Sequence, residues 1–384
     1  MTTTTTISPA TLTAAVDAVN ALGTELKTQL VERDGEVDAV LTALVAGEHV
    51  LLLGPWGTAK SLLANTLSAA LGVTEFSILM TKHTTPEEVF GPFNLPALKE
   101  GRYERVTTGR FPEAQVAFLD EIFKSNSAIL NGFLTALNER KFDNGGHRQD
   151  IPLLMTIGAS NELPQDEGLG ALRDRFLVSR WTRYVGDRGA MRRLLLAGDV
   201  KVTARVSAEQ LQALHAARAA VDVEGVVDAV LTIRDEMAAE GMEVSDRRWK
   251  KALKLVQASA VLNGRQRATE EDLMPIADAL WDAPDDAAKV YGLVARQVAP
   301  DLEKALKLLD SATELWAKTG VDKLDLRKPD QLTAAANVNA ELKRILGEVR
   351  KLKASKDVTA AAQRVEVLAT TIQSKITKHI NGGW

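Results

Sequence analysis

The sequence predicts an α/β fold: a mostly parallel sheet in the first half, an all-helical segment after it, and a helical bundle at the C-terminal end. Three observations predict it. Short apolar runs alternate with helical stretches from about residue 36 to 186, the pattern of a parallel sheet covered on both faces. One run, Val50-Leu51-Leu52-Leu53, leads straight into the tight turn Gly54-Pro55-Trp56-Gly57 and a helix start at Lys60-Ser61-Leu62. Past Gly186 strand signals fade and apolar residues recur at helical spacing.

In chain order, residues 1–9 read as disordered, with Ser8-Pro9 opening a helix over roughly 10–31. Buried strands are expected at 49–53, 76–80, 116–119 and 154–159. A helix is expected over Asn126–Phe142, and Asn144-Gly145-Gly146 then signals a β-hairpin. Gly186-Asp187-Arg188-Gly189 reads as a hinge, and Ser207–Gln210 and Thr269–Asp272 are capping-box strings that start helices. Beyond 300, three amphipathic stripes appear: Leu302, Leu306, Leu309 and Trp316; Leu342, Ile345, Val349 and Leu352; Val365, Leu368, Ile372 and Ile376. Breaks near Pro329 and at Ser355-Lys356-Asp357 make these a three-helix bundle, and Asn381–Trp384 a frayed end.

Composition bounds the function. At 384 residues the chain has room for two to three domains. Its 45% hydrophobic and 26% charged residues are those of an ordinary globular protein. No apolar run is long enough for a bilayer. Met1 is followed by five threonines rather than by a signal peptide. With no cysteine, thiolate zinc sites and Cys nucleophiles are excluded. A net charge of −4 argues against nucleic acid as the main partner. The expected location is cytoplasmic.

The chemistry concentrates in residues 54–61, which read G-x-x-x-x-A-K-S and differ from the strict phosphate-loop pattern at Ala59. Backbone N–H groups of such a loop, with the positive end of the following helix, form an anion cradle. Lys60 would reach the β- and γ-phosphates of ATP, and the Ser61 hydroxyl would ligate Mg²⁺. A plain Gly-Pro turn with a solvated Lys60 is the competing reading. The second half is Val116-Ala117-Phe118-Leu119-Asp120-Glu121, a buried strand with two carboxylates at its C-terminal end. Open parallel sheets bind ligands at those ends. Asp120 can hold Mg²⁺ through its water shell, and Glu121 can polarise an attacking water; a helix-capping acid pair is the alternative. Asn161 ends the strand at 154–159 and is either a γ-phosphate and water contact or a turn residue.

These pieces, in this order, resemble the AAA+ ATPases over roughly residues 30–290, and within them the MoxR family, specifically its RavA-like branch. The resemblance is carried by Thr84–Pro92, Gly101–Arg105, Phe118–Ile122, Ala159–Pro164 and Val244–Lys251. It implies an AAA+ P-loop core with a Walker A loop at Gly54, Pro55, Trp56, Gly57, Thr58, Ala59, Lys60 and Ser61, running on to Leu62. It also implies a Walker B at 116–121 and a sensor-1 residue at Asn161. Arg175, in Ala171–Phe176, would be the arginine finger reaching a neighbouring subunit's γ-phosphate, with Arg173 as competitor. Arg247 would be the sensor-2 residue on the lid, closing over the same phosphates, with Arg248 as alternative. The implied organisation is an N-terminal helix over 1–30, a nucleotide-binding core over 31–186, a helical lid over 187–298 and a three-helix bundle over 299–384.

The family expectation is a ring, a hexamer, with a helix-2 insert at Phe93–Val106 and a pre-sensor hairpin at Asp143–Gln149 in the axial opening. Their Arg102, Arg105, His147 and Arg148 would grip a client or stay solvated. Ala59, in place of the usual glycine, is expected to hold right-handed helical geometry. Trp56 replaces a common proline, which bears on loop rigidity and turnover. Glu32, Arg33 and Val37 are adenine-pocket candidates by position.

The leading function is a MoxR-type chaperone ATPase remodelling or activating a protein client, by resemblance with a von Willebrand factor A domain partner. A nucleotide-gated scaffold that barely hydrolyses, a nucleic-acid motor and a gas-vesicle-type role compete with it.

Overall fold

The computed structural model describes residues 8–163, 167–186, 188–298, 300–321, 324–352 and 356–380. Expectations for residues 1–7, for Pro164, for Asp187 of the hinge, for Ser355 and for Asn381–Trp384 lie outside them. The chain divides into two compact units, one running up to Val290 and one from Tyr291.

The first unit opens with helix α1 (Pro9–Gln29), whose start is fixed by the Ser8 hydroxyl accepting from the Thr11 N–H. Helix α2 (Asp34–Ala46) ends at left-handed Gly47. Strand β1 (Val50–Leu53) follows, then α3 (Lys60–Leu71), β2 (Glu75–Leu79), and the short helices α4 (Pro86–Phe90) and α5 (Leu95–Lys99). Strand β3 (Val116–Asp120), helix α6 (Ser127–Glu139), the hairpin β4 (Lys141–Asn144) and β5 (His147–Asp150), β6 (Met155–Ser160), α7 (Glu167–Arg173) and β7 (Val178–Trp181) complete the α/β part.

Five strands form one sheet in the order β2-β3-β6-β1-β7, every neighbouring pair parallel. All four residues of β1 and all six of β6 are buried, as central strands covered on both faces require. Truncating any β1 leucine to alanine should cost about 2–5 kcal/mol. β7 is a strand the apolar-run reading does not find: Ser179 and Arg180 interrupt it, and Arg180 is accommodated by an ion pair to Asp278 at 2.9 Å.

The helical segment holds α8 (Arg188–Leu196), α9 (Ala208–Ala219), α10 (Val227–Ala239) and α11 (Asp246–Leu262), then a 3-10 stretch, Glu270–Ala279. Both capping boxes form, the one at Thr269 opening that 3-10 stretch. Helix α12 (Pro284–Val298) spans the division between units.

The second unit is a bundle of α13 (Pro300–Thr319), α14 (Pro329–Val349) and α15 (Lys356–Ile380), each packed on the other two. Two stripes serve as its seam. The α13 stripe needs correction: Leu302, Ala305, Leu309 and Ala312 are buried, whereas Leu306 is exposed. The helix expected to reach Phe142 ends at Glu139, because Arg140 adopts a left-handed φ of 57°. Phe142 instead enters β4 and stacks on Phe90 with ring centroids 5.5 Å apart.

Candidate functional site

The C-terminal ends of β3, β6 and β1 lie side by side, so the three sequence motifs converge on one edge of the sheet. The Gly54 N–H donates to the Ser160 carbonyl at 3.0 Å. Gly54 itself has φ 133°, and a Cβ there would sit 2.1 Å from the Thr182 carbonyl oxygen, so the loop's first residue can only be glycine. Pro55, Trp56 and Gly57 carry the chain out of β1, with Gly57 at φ 71°. The Thr58 hydroxyl donates to the Pro55 carbonyl at 2.9 Å, closing the turn.

Ala59 departs from expectation: its φ of 66° is left-handed, not helical, and it stands just before the first residue of α3. The loop needs a residue there that turns the N–H groups inward, which is why glycine is usual; a left-handed alanine costs about 1–2 kcal/mol. Ser61 and Leu62 lie exposed in the first turn of α3, Leu62 against solvent rather than the core.

Lys60 is buried, and its ammonium donates to the Gly54 and Pro55 carbonyls, both at 2.8 Å, and to the Thr58 hydroxyl at 3.2 Å. Burial pulls its pKa down, opposed by Asp120 and Glu121. Burial pushes the Asp120 carboxyl above its ordinary value, and the neighbouring Glu121 charge pushes it further. The two acids and the lysine therefore share one low-dielectric corner.

Glu121 is buried and left-handed at φ 51°, an outlier of the kind that clusters at functional sites. Its Oε1 accepts from the Asn161 amide at 2.5 Å and from the Trp56 indole at 3.2 Å; its Oε2 lies 3.3 Å from the Lys124 ammonium. Nothing in the spacing of residues 56 and 121 announces the tryptophan contact.

The residues present fit ATP with Mg²⁺. The lysine, loop N–H groups and α3 N-terminus suit phosphates, and a divalent ion would offset the burial and the neighbouring Glu121 charge that raise Asp120. Among the described residues no cluster of three or more acidic or histidine side chains could hold a metal. A cation here would thus share Ser61 and Asp120 with phosphate oxygens and water, as Mg²⁺ does.

Of the adenine-pocket candidates, Arg33 proves to be a buried strut. Its Nε donates to the Thr58 carbonyl at 3.0 Å and its NH2 to the Arg183 carbonyl at 2.7 Å, propping the loop from behind. The Glu32 carboxylate accepts from the Gly186 N–H at 3.0 Å, and Val37 is fully buried in α2.

The arginines lie elsewhere. Arg175 precedes β7, whose first N–H bonds the His49 carbonyl just ahead of β1. It therefore sits at the N-terminal strand edge, the length of four-residue β1 away from the loop, roughly 13 Å at 3.3 Å per residue. Arg247, expected over the chain's own phosphates, is at that same far edge. Its guanidinium contacts the Asn138 side chain, and it lies 3.9 Å from Asp174. The cause is helix α11, which packs on α2 and anchors Lys251 and Lys254 to buried Glu48, at 3.2 and 2.6 Å, just before β1.

The competing arginines are committed to structure. Arg248 is buried and donates to the Ala279, Phe176 and Leu177 carbonyls, the last at 2.9 Å. Arg173 bonds the Trp281 carbonyl at 3.2 Å and pairs with Asp282 at 3.2 Å. Arg175 has only the adjacent Asp174, at 3.5 Å, among the described partners.

The projecting segments are joined. The Asn144 amide bonds the Arg105 backbone in both directions, at 2.6 and 3.2 Å, and Gly145 and Gly146, both at positive φ, form the hairpin turn. Of their expected gripping residues, His147 is exposed while the three arginines are spent internally. Arg102 pairs with Glu100 and Glu104, Arg105 with Glu87 and the Phe93 ring, and Arg148 with Glu139 and Asp143. Leu95 and Tyr103, both 68% exposed, face outward instead.

Residues 17–220 match the family described as the MoxR domain in the MoxR-vWA-beta-propeller ternary systems. The chain belongs to the MoxR family of AAA+ ATPases. Residues 225–294 match an AAA lid domain, a stretch that holds α10, α11, the 3-10 stretch and most of α12. An uncharacterized protein of Methanocaldococcus jannaschii is 37% identical over 268 residues, 69% of this chain and 72% of that one. The chaperone MoxR1 of Mycobacterium tuberculosis is 29% identical over 170 residues, 43% of this chain and 44% of that one. A solved structure from Cytophaga hutchinsonii, provisionally assigned as an ATPase, shares the fold with a TM-score of 0.59 at 17% identity, covering 75% of this chain and 96% of that one. No helix among the described residues is long and apolar enough to cross a membrane.

Proposed function

We propose that this MoxR-family chain hydrolyses ATP with Mg²⁺ in a ring of copies and uses the energy to remodel or activate a protein client. One observation carries the reading: Lys60, Asp120, Glu121 and Asn161 meet at one edge of the sheet, while Arg175 and Arg247 stand at the opposite edge of the same chain. A pocket using both sets takes its arginines from an adjoining copy. In that pocket the loop N–H groups and Lys60 bind the phosphates, Glu121 orients water, Asn161 aligns it, and Arg175 stabilises charge on the transferring group. Mg²⁺ held by Ser61, and by Asp120 through water, would neutralise phosphate charge.

The family's description supports a von Willebrand factor A domain protein as partner, and the name of MoxR1 supports a chaperone-like role. A hexamer, a RavA-like place within the family and a cytoplasmic location complete the reading on the sequence resemblance. A scaffold that binds ATP without turning it over is favoured only by the engagement of Glu121 with Trp56, Asn161 and Lys124.

Steady-state phosphate release separates the two. Wild type is expected to turn over, and Glu121→Gln to lose at least a hundredfold while still binding ATP. Equal, near-zero rates would favour the scaffold.

A further inference from the structure

Trp56 occupies an unusual place for its size. Its indole is 72% exposed, so core packing does not explain it, yet its N–H reaches across to the Glu121 carboxylate at 3.2 Å. We propose that Trp56 is a positioning residue that tethers Glu121 to the phosphate loop and restrains turnover until the loop rearranges around nucleotide. The inference rests on the ATPase reading above.

The geometry carries it in three steps. A carboxylate oxygen has two acceptor sites, and on Oε1 the Asn161 amide and the Trp56 indole take both. The group expected to orient water and the group expected to align it are thus bonded to each other, with the indole as a third member. Glu121 is held at its left-handed backbone and, through Oε2, by Lys124; of these donors only Trp56 lies on the phosphate loop. Trp56 also lies between the residues that hold Lys60. The ammonium bonds the Gly54 and Pro55 carbonyls immediately before it and the Thr58 hydroxyl two residues after it. Turning Lys60 toward a phosphate releases those acceptors, and the short segment carrying the indole shifts with them. Loading the loop and freeing Glu121 become one event.

The test is Trp56→Phe, which keeps the ring and deletes the donor at an exposed position. Expected is a three- to tenfold higher kcat with KM within twofold. A direct readout uses 5-fluorotryptophan and ¹⁹F NMR. The chain has six tryptophans, and the Trp56 signal is the one missing from Trp56→Phe. It should shift in Glu121→Gln and again when wild type is saturated with a non-hydrolysable ATP analogue. An unchanged or lower kcat in Trp56→Phe overturns the tether, as does a Trp56 signal indifferent to the analogue when calorimetry shows that it binds. If wild type binds no ATP, the ATPase reading falls and takes the tether with it, an outcome calorimetry tells apart from failure of the tether alone.

Discussion

The two ends of β1 are built on different terms. At the C-terminal end the polar groups are held by one another across loops: Lys60 by loop carbonyls, Glu121 by Asn161 and Trp56, with Ser61 and Leu62 open to solvent. At the N-terminal end the charges are locked into the protein. Arg248 lies under three backbone carbonyls, and Glu48 is pinned by two lysines of α11. Buried His49 accepts from the Thr156 N–H at 2.9 Å and bonds the Leu137 carbonyl at 2.9 Å. Within that fixed edge Arg175 and Arg247 are the loosely held exceptions, gathered near Asp174. One end has the character of a place where something binds; the other is a rigid mount on which Arg247 is half exposed and Arg175 is largely buried.

The largest effect on ATP binding should come from Lys60→Ala, which removes the ammonium proposed to meet the phosphates. ATP binding, measured by calorimetry, should weaken by more than a hundredfold with the fold intact; unchanged affinity would remove the distinction between the ends. Arg175→Ala should bind ATP normally and lose about a thousandfold in turnover. Doping it into wild type should suppress phosphate release more than in proportion, whereas proportional loss would argue against a residue acting between copies. The neighbouring arginines sharpen the same contrast. Arg248→Ala, by uncovering a buried network, should destabilise the fold by about 3 kcal/mol in chemical denaturation, and Arg247→Ala should leave stability within about 0.5 kcal/mol.

The rigid end also predicts a pH dependence. Burial holds His49 well below the ordinary histidine value, and Arg140 beside it lowers it further; Arg140 is itself brought down to about 10 by burial. Native His49 is therefore neutral where the unfolded residue, near 6.5, takes up a proton. Stability should fall as pH drops below about 6.5, by up to about 1.4 kcal/mol per unit from this group. Denaturation midpoints at pH 7 and 5 should show it, with a shallower slope in His49→Gln. The smallest effect is at the loop. Ala59→Gly relieves a left-handed alanine, less the entropy of a freer unfolded chain, and should raise stability by several tenths of a kcal/mol without loss of ATP binding.

Much of the binding end was legible because strand ends follow a grammar. An apolar run, a turn and Lys60-Ser61 specify one site, and Asp120, Glu121 and Asn161 follow their own runs at the same sheet edge. What stayed hidden depends on tertiary partners. β7 hides because Arg180 needs Asp278 before it can sit in a strand. The place of Arg247 follows from which edge α11 covers, which no local pattern states. Ala59 is left-handed against its own preference, and the Trp56–Glu121 bond joins residues 65 positions apart. Charges such as Arg105 and Arg148 look free in sequence because their partners, Glu87 and Glu139, are met only when the chain folds back on itself.

The clasp between Asn144 and the Arg105 backbone has a practical consequence. A chimera that transplants the hairpin alone from a relative would strand an amide and two main-chain groups without counterparts, and would lose the shape of the neighbouring segment as well. Exchanging these projecting segments between relatives therefore requires moving 93–106 and 141–150 together, as a single cassette.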